Sequence, residues 1–326
     1  MRRREFMALI GGAAVAWPFA LRAQQPQKWR IGDVLGGTQE TMGHLAAALA
    51  QRLEDLGYVQ GKNITLLNRF VPPEAEAIED AIGSLLPNID LLVVRGMIGG
   101  VAAKKLASSV PVIFIAVGAP VDIGLVESLA HPGGNMTGTT FEAAAETYAK
   151  RLQILKEIIP TLEHVAVLRA QGDANVPFAM ASLDKLAPAV GVLLRPIDVK
   201  SSNDLLAAFD EMQRSQIEGL IVVAGALTYA NSKQIANLAL AYRLPSCHAF
   251  RETVIAGGLV SLGPDIVAMS RQCAAYIDKI VRGAKPADLP VEQPDRYEMF
   301  VNLKTAKALG VTIPPTLLAS ADKVIE

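Results

Sequence analysis

The sequence lacks an excess of positive charge and has few aromatic residues. Its 326 residues include 31 Lys and Arg against 32 Asp and Glu, which gives a formal net charge of −1. Proteins that bind nucleic acids usually carry a basic excess that neutralises phosphates. The aromatic residues make up 5% of the chain and do not alternate with Lys or Arg. We therefore expect no nucleic-acid partner.

Cysteine and histidine are also scarce. The two cysteines, Cys247 and Cys273, form no Cys-x-x-Cys pair, and the four histidines have no spacing typical of metal ligands. Because zinc sites commonly use closely spaced Cys or His pairs, we expect no metal and no cofactor. A Cys247–Cys273 disulfide is one interpretation for an oxidising compartment. Two separate buried thiols are the other, since Cys is commonly buried.

Signatures of catalysis are missing as well. Residues 258–263 contain one residue more than a nucleophile elbow around Ser261 would have. The glycines of 96–100 do not fit the dinucleotide-binding spacing, and no P-loop occurs. We therefore predict that the protein is not an enzyme.

The first 25 residues have the layout of an export signal. Residues 2–4 are all arginine, residues 7–21 are apolar, and Ala23 is a small residue just before a cleavage position. The string RREFM at 3–7 resembles the twin-arginine signature, while a general secretory signal with extra arginines is the alternative. We predict that 1–25 is a signal peptide and that the mature protein lies in the periplasm, soluble after cleavage.

The rest of the chain alternates short apolar runs with amphipathic segments. Continuous apolar runs predict parallel strands covered on both faces, and a 3.6-residue period predicts the covering helices. The series begins near Trp29 and restarts after Phe141. We predict an α/β protein with two doubly wound parallel-sheet lobes joined by a hinge. Lobe 1 comprises 28–141 plus about 251–283, and lobe 2 comprises 142–250 plus about 284–326.

The predicted strand-to-helix loops are rich in glycine and other small residues. In open parallel sheets, ligands bind beyond the carboxyl ends of the strands, where helix N-termini present backbone N–H groups. Two lobes facing each other with these edges would form a cleft that closes around a ligand. A single glycine can simply make a turn, but repetition at successive strand ends favours a cleft. The candidate ligand-binding residues in or beside these loops are Gly37, Thr38, Gly96, Met97, Gly118, Ala119, Pro120, Thr139, Gln171, Gly225, Ala226 and Tyr229.

Three further candidates are Arg95, His248 and Arg251. Arg95 directly follows the apolar run 91–94, where a cation is unexpected. It either clamps a ligand carboxylate in a bidentate fork, or lies at the solvated rim, or pairs with a nearby acid. Arg251 lies either at the cleft or in an ion pair within the protein, and His248 either faces the ligand or is simply buried. Our hypothesis is that Arg95 or Arg251 holds a ligand carboxylate.

Four segments resemble one protein family: residues 53–64, 129–141, 243–264 and 286–326. They are similar to the ABC transporter substrate-binding family that includes tryptophan- and tyrosine-type binding proteins, and the similarity extends over nearly all of the chain after Lys28. The resemblance implies a type I periplasmic-binding-protein fold with three crossovers between its lobes. It also implies that a small-molecule solute is delivered to an ABC permease with a cytoplasmic ATPase.

The sequence departs from the usual pattern of that family in the predicted cleft. Arg95 and Met97 stand where small or hydroxyl residues are usual, and His248 stands where tyrosine is common. Gly225 and Ala226 replace an acidic or Pro-Phe turn. An aromatic amino acid is therefore not carried over from the family. We expect a monomeric binder of a small carboxylate-bearing solute, either an amino acid or an aromatic acid; the alternative is a sensor that presents the bound solute to a membrane receptor.

Overall fold

The computed structural model describes residues 28–141, 146–173 and 175–326. The predicted signal peptide, residues 1–25, lies outside these described residues. Within them, the chain forms two α/β units, each built on one sheet. None of the helices in this part of the chain combines the length and apolarity that crossing a bilayer requires.

The first sheet has five parallel strands that are covered by helices. Its third strand, Leu91–Arg95, is buried at every position, as expected for a parallel strand with both faces covered. The elements are β1 (Trp29–Gly36), α1 (Gln39–Asp55), β2 (Ile64–Val71), α2 (Ala75–Leu85), β3 (Leu91–Arg95), α3 (Gly96–Leu106), β4 (Val112–Val117) and β5 (Met136–Thr140). The strand order is β2-β1-β3-β4-β5.

The second sheet has seven strands. The elements after β5 are α4 (Glu146–Ile158), β6 (His164–Ala170), α5 (Val176–Leu186), β7 (Leu193–Val199), α6 (Leu205–Arg214), β8 (Gly219–Val222), α7 (Ala226–Ala230), α8 (Ser232–Ala241), β9 (Ser246–His248), α9 (Arg251–Ile255), β10 (Val260–Gly263), α10 (Ile266–Val281), β11 (Glu298–Asn302), α11 (Leu303–Leu309), α12 (Pro315–Ser320) and β12 (Lys323–Ile325). The order β7-β6-β8-β9-β10 repeats that of the first sheet, and β11, antiparallel to β10, and β12 extend it. The predicted pair of doubly wound units is present.

The boundaries between the units differ from the predicted ones. The predicted lobe 1 included about 251–283, but β10 pairs with β9 and β11 in the second sheet. Within 251–283, α10 is the part that returns to the first unit, where it packs against α1. Residues 284–292 also stay with the first unit, because Val291 N donates to Leu129 O and Glu292 N donates to Gly138 O. A short apolar strand has the same pattern in either sheet, so only strand pairing decides its place.

Apolar cores lie on both faces of each sheet. In β1, Ile31 and Leu35 pack toward α1 and α10, whereas Val34 packs on the opposite face with residues of α2 and α3. The core under α1 and α10 continues into the second unit through Tyr229 and Phe250. The two units are therefore in direct apolar contact where β1, β3 and β4 end.

Both cysteines are free and buried. Cys247 lies in β9 of the second sheet, and Cys273 lies in α10 against the first. Burial raises the pKa of the Cys247 thiol to about 12, so this side chain stays a neutral thiol at physiological pH. The disulfide interpretation is wrong, and the buried-thiol interpretation is confirmed.

Candidate functional site

A cavity lies between the two units, at the carboxyl ends of the strands of both sheets. The space between its lining atoms is about 610 Å³, which includes open solvent at the mouth of the cavity. The first unit and α10 supply Gly36, Met42, Leu45, Arg95, Gly96, Met97, Ile115, Ala116, Gly118, Phe141 and Ile266. The second unit supplies Asp173, Asn175, Ala224, Gly225, Ala226, Tyr229 and Phe250.

Small residues allow the two units to approach each other at this cavity. A methyl group at Gly36 would lie 3.5 Å from Ala226 Cβ, and one at Gly118 would lie 3.1 Å from Asn175 Oδ1. Gly36 ends β1 and Gly118 follows β4, so at both places a strand end of one unit lies against a loop of the other. The conformation is therefore one in which the cleft is closed.

A hydrogen bond also joins the units. His44 Nε2 of α1 lies 2.9 Å from the Tyr229 hydroxyl of α7, and the two rings are stacked. Burial, Arg251 and Arg95 lower the pKa of His44, which favours the neutral imidazole, and this form can accept a hydrogen bond from the Tyr229 hydroxyl. We call this contact the His44–Tyr229 bridge.

Arg95 is the cation of the cavity wall. It ends β3 and pairs with Asp33 of β1 through one guanidinium nitrogen, Nη1. The Arg95 side chain is 7% exposed and that of Asp33 is 0% exposed. Nε and Nη2 of Arg95 are buried and have no hydrogen-bond partner among the described residues. Arg95 therefore pairs with an acid, which is one of the predicted alternatives. Two nitrogen atoms of its guanidinium group, Nε and Nη2, still have no acceptor among the described residues.

Asp173 is the acid of the cavity wall. It lies in the β6–α5 loop, is 4% exposed, and accepts one hydrogen bond, 2.9 Å long, from Asn175 N at Oδ1. Burial raises the pKa of the Asp173 carboxyl to about 6. Asn175 is itself fixed, because its Nδ2 donates to Tyr148 Oη and to Ala224 O. The structure thus positions a carboxylate rigidly at the edge of the second sheet.

Three aromatic rings form one wall of the cavity. Tyr229 and Phe250 meet edge to face with centroids 4.7 Å apart, and Phe250 meets Phe141 in the same way at 5.5 Å. Such edge-to-face pairs add stability beyond the area that they bury. Together with Met42 and Met97, these rings make most of the lining apolar.

The structure brings seven of the predicted site residues to the cavity: Arg95, Gly96, Met97, Gly118, Gly225, Ala226 and Tyr229. All of them lie where the sequence predicted that a strand ends and a helix or loop begins. The other predicted residues do not line the cavity, and most have structural roles.

Gly37 and Thr38 shape the start of α1. Gly37 has a φ of 152°, and an added Cβ would lie 2.6 Å from Met42 Cγ, so glycine is needed there. Thr38 is exposed and caps α1 through Thr41. These residues make a turn and a helix cap instead of the ligand contacts that were predicted.

Ala119, Pro120 and Thr139 support the loop after β4. Pro120 O accepts from Leu125 N, and Ala119 has a positive φ of 41°. Thr139 Oγ1 accepts from Ala116 N at 3.2 Å. Thr139 therefore holds the backbone of a lining residue and does not line the cavity itself.

Gln171 and His248 are predicted ligand contacts, but neither residue lines the cavity. Gln171 is exposed, and its N–H donates to Val199 O at the end of β7. His248 is 1% exposed and pairs with Ser246 at 2.8 Å. Burial, with a smaller effect of Arg151, lowers the pKa of His248 to about 3. His248 is therefore buried, as one of the predicted alternatives has it, and does not line the cavity.

Arg251 belongs to an ion-pair network near the hinge. Its guanidinium lies 2.6 Å from Asp265 and 2.8 Å from Glu298, and 3.6 Å from Glu252. Asp265 caps α10 of the first unit, whereas Glu298 begins β11 of the second. The ion-pair interpretation of Arg251 is therefore correct, and the residue joins the units away from the cavity.

Sequence reasoning missed several lining residues, of which Asp173, Asn175, Phe141 and Phe250 carry the most chemistry. Asp173 was available in principle, because it lies two residues after Gln171 in a loop that was already a candidate. The aromatic residues had no such signal. Phe250 lies just after the three-residue strand β9. Phe141 lies at the end of the range 28–141 that was predicted for lobe 1.

The arrangement can hold a small molecule with one charged end and an apolar body. A cation and an acid face the cavity from opposite units, and the remaining lining is mainly apolar. No group of three or more His, Cys, Asp or Glu residues among the described ones is placed to hold a metal ion. These features define a two-lobed binding protein with an interlobe solute site.

Comparison with known proteins identifies the family. The sequence profile described as "ABC transporter substrate binding protein" matches residues 40–325. The chain therefore belongs to the ABC transporter substrate-binding protein family, as the sequence resemblance predicted. A tyrosine-binding protein from Clostridioides difficile is 24% identical over 260 residues, which cover 79% of this chain and 74% of the relative.

Solved structures show the same fold. A conserved domain protein from Vibrio cholerae has a TM-score of 0.84 at 23% identity, and the match covers 91% of this chain and 100% of that one. A domain from Streptococcus pneumonia in complex with L-Trp has a TM-score of 0.80 at 23% identity, covering 90% of this chain and 100% of that one. These likenesses confirm the predicted two-lobed type I periplasmic-binding-protein fold.

Proposed function

We propose that this protein is the solute-capturing component of an ABC uptake system and binds a small carboxylate-bearing solute, an amino acid or an aromatic acid, between its lobes. The observation that carries the proposal is the pair of unused donors on Arg95, Nε and Nη2. They belong to a buried side chain that lines the interlobe cavity.

Buried donors without partners are costly, since each lost hydrogen bond of a charged group costs on the order of 1–3 kcal/mol or more. A carboxylate is the natural partner, because its two oxygens accept from an arginine fork in bidentate geometry. Asp33 holds Nη1 of Arg95 and so orients the guanidinium. A ligand carboxylate would give Nε and Nη2 of Arg95 the acceptors that they lack.

The apolar lining favours a solute whose remaining part is apolar. The rings of Phe141, Tyr229 and Phe250, with Met42 and Leu45, offer a surface of the kind that buries most of a bound small molecule. Burial of that apolar surface would supply most of the affinity, and the carboxylate would fix the orientation.

We infer the role in solute transport from the family and from the predicted location in the periplasm. The predicted export signal would place the mature chain in the periplasm, where a monomeric binder could deliver its solute to a permease with a cytoplasmic ATPase. The relatives support the binding of a carboxylate-bearing solute: one is a tyrosine-binding protein, and one structure contains L-Trp. Another neighbour, from Rhodopseudomonas palustris, contains 3,4-dihydroxybenzoic acid at a TM-score of 0.52 and 16% identity. The solute would be released unchanged, without catalysis.

A thermal-shift screen of the purified protein tests the binding proposal. The screen would contain the L-amino acids and a series of aromatic acids, with neutral sugars and polyols as negative controls. A ligand selective for the folded state at 100 times its Kd adds about 2.7 kcal/mol of stability. Stabilisation by sugars or polyols alone would contradict the proposal.

Transport itself needs a test in cells. Deletion of the gene should reduce uptake of the labelled solute, and a copy encoding the wild-type chain should restore it. Unchanged uptake together with a lost transcriptional response to the solute would favour the sensor alternative.

A further inference from the structure

Resting on the proposed function, we propose that Asp173 binds a ligand ammonium group, so that the solute is a zwitterionic amino acid with an apolar side chain and not an aromatic acid. Arg95 and Asp173 would then hold the two charged ends of the same molecule from opposite units.

Asp173 has the placement of a ligand-binding carboxylate. It is 4% exposed and lines the cavity, and no Lys, Arg or His among the described residues forms a salt bridge with it. Among the described residues, the single hydrogen bond to its Oδ1 comes from the backbone N–H of Asn175. A buried carboxylate with so little compensation is unfavourable, and a ligand ammonium would provide the missing charge and donors.

Gly225 makes room for this carboxylate. A Cβ at Gly225 would lie 2.5 Å from Asp173 Oδ2, which no real contact allows. The φ of Gly225 is −176°, a value that any residue adopts, so glycine is not required here for backbone reasons. Its absent side chain therefore makes room for the carboxylate oxygen Oδ2 itself.

The charges around the cavity predict an order of binding affinity for three kinds of ligand. Asp33 already neutralises Arg95, so an ionised Asp173 leaves the site with one net negative charge. An amino acid would leave this total unchanged and satisfy both Arg95 and Asp173. An amine would satisfy only Asp173, and an acid would add a second uncompensated negative charge. The predicted order of affinity is therefore amino acid, then amine, then acid.

The first test compares three matched ligands. The tightest-binding apolar L-amino acid is measured by calorimetry beside its deaminated acid and its decarboxylated amine; for L-phenylalanine, these are 3-phenylpropionate and 2-phenylethylamine. We expect the acid to bind at least tenfold more weakly than the amino acid. Asp173→Asn should lower the affinity for the amino acid at least tenfold and leave that for the acid unchanged or higher. Asp184→Asn, at an exposed position of α5, is the matched control.

Measuring affinity over a pH series separates the effect of the Asp173 charge from the effect of the side chain's shape. Because the Asp173 carboxyl has a pKa of about 6, wild-type affinity for the amino acid should fall as the pH drops below 6, approaching tenfold per pH unit. Arg95 and Tyr229 are the other ionisable residues that line the cavity, and the hydroxyl of Tyr148 accepts a hydrogen bond from Asn175. His44, bonded to Tyr229, can titrate nearby, so the effect is assigned to Asp173 only if Asp173→Asn abolishes it.

The outcomes distinguish this inference from the proposed function. Equal binding of the acid and the amino acid, with no effect of Asp173→Asn, would overturn the inference and leave the proposed function intact. No binding of any amino acid or aromatic acid by the wild-type protein would overturn the proposed function, and the inference with it.

Discussion

The buried ion pair between Asp33 and Arg95 makes a prediction that separates folding from binding. Arg95→Gln leaves the Asp33 carboxylate, 0% exposed, without its cation. Breaking a buried pair in this way costs about 3–5 kcal/mol. Asp33→Asn should also be destabilising, because it leaves the buried guanidinium without a negative partner. The double variant Asp33→Asn/Arg95→Gln removes both charges and should recover most of the lost stability, since replacing a whole pair is often nearly neutral.

The assay has two parts. Denaturant unfolding gives the free energies of the wild type, both single variants and the double variant, and their cycle gives the coupling between the two side chains. Arg30→Gln is the matched control: Arg30 pairs with Asp90 on the surface, with 46% of its side chain exposed, and solvent weakens such pairs, so this variant should change stability far less than Arg95→Gln.

Binding to the double variant then tests the site. Losing a desolvated charge partner costs about 2–5 kcal/mol, so the double variant should bind the solute at least tenfold more weakly although it is folded. Additive stability losses would refute the buried pair. Wild-type affinity in the double variant would refute a carboxylate clamp at Arg95.

Three further predictions concern the opposite wall and the bridge. Asp173→Asn should stabilise the ligand-free protein by about 1–3 kcal/mol at pH 7.5. The native carboxyl has a pKa of about 6 and binds protons more tightly than the unfolded one, so the ionised carboxylate destabilises the folded protein above pH 6. The stabilisation should therefore vanish in thermal melts near pH 4. Gly225→Ala should push the Asp173 carboxylate aside and weaken amino-acid binding in calorimetry, whereas Gly83→Ala, with open space around the new methyl, should not. His44→Ala and Tyr229→Phe each remove the same bridging hydrogen bond, so each should weaken solute binding about 2–10-fold; losses that add in the double variant would show that the bridge is not a single interaction.

Much of the fold could be predicted because parallel strands covered on both faces are continuous apolar runs. Residues 91–94 and the strand Val112–Val117 are examples, and both lie at the centre of the first sheet. The crossover positions could not be predicted in the same way. The segment Val260–Gly263 would be apolar and glycine-framed in either sheet, and its pairing with β9 and β11 is a long-range property.

Part of the site could be predicted from the rule that ligands meet the carboxyl ends of parallel strands. The rule identifies loops and not side chains, however. In the β6–α5 loop it led to Gln171, which is exposed, whereas Asp173 turns into the cavity. His248 failed for a related reason: it lies at a strand end, but its ring packs beside Gly258 inside the second unit.

The most direct measurement is a crystal structure of the protein with the tightest ligand from the screen. We predict that the solute lies between the lobes, with carboxylate oxygens about 3 Å from Arg95 Nε and Nη2 and its apolar part against Phe141, Tyr229 and Phe250. A solute bound outside the cavity, or one inside it that leaves both Arg95 donors unpaired, would contradict this account.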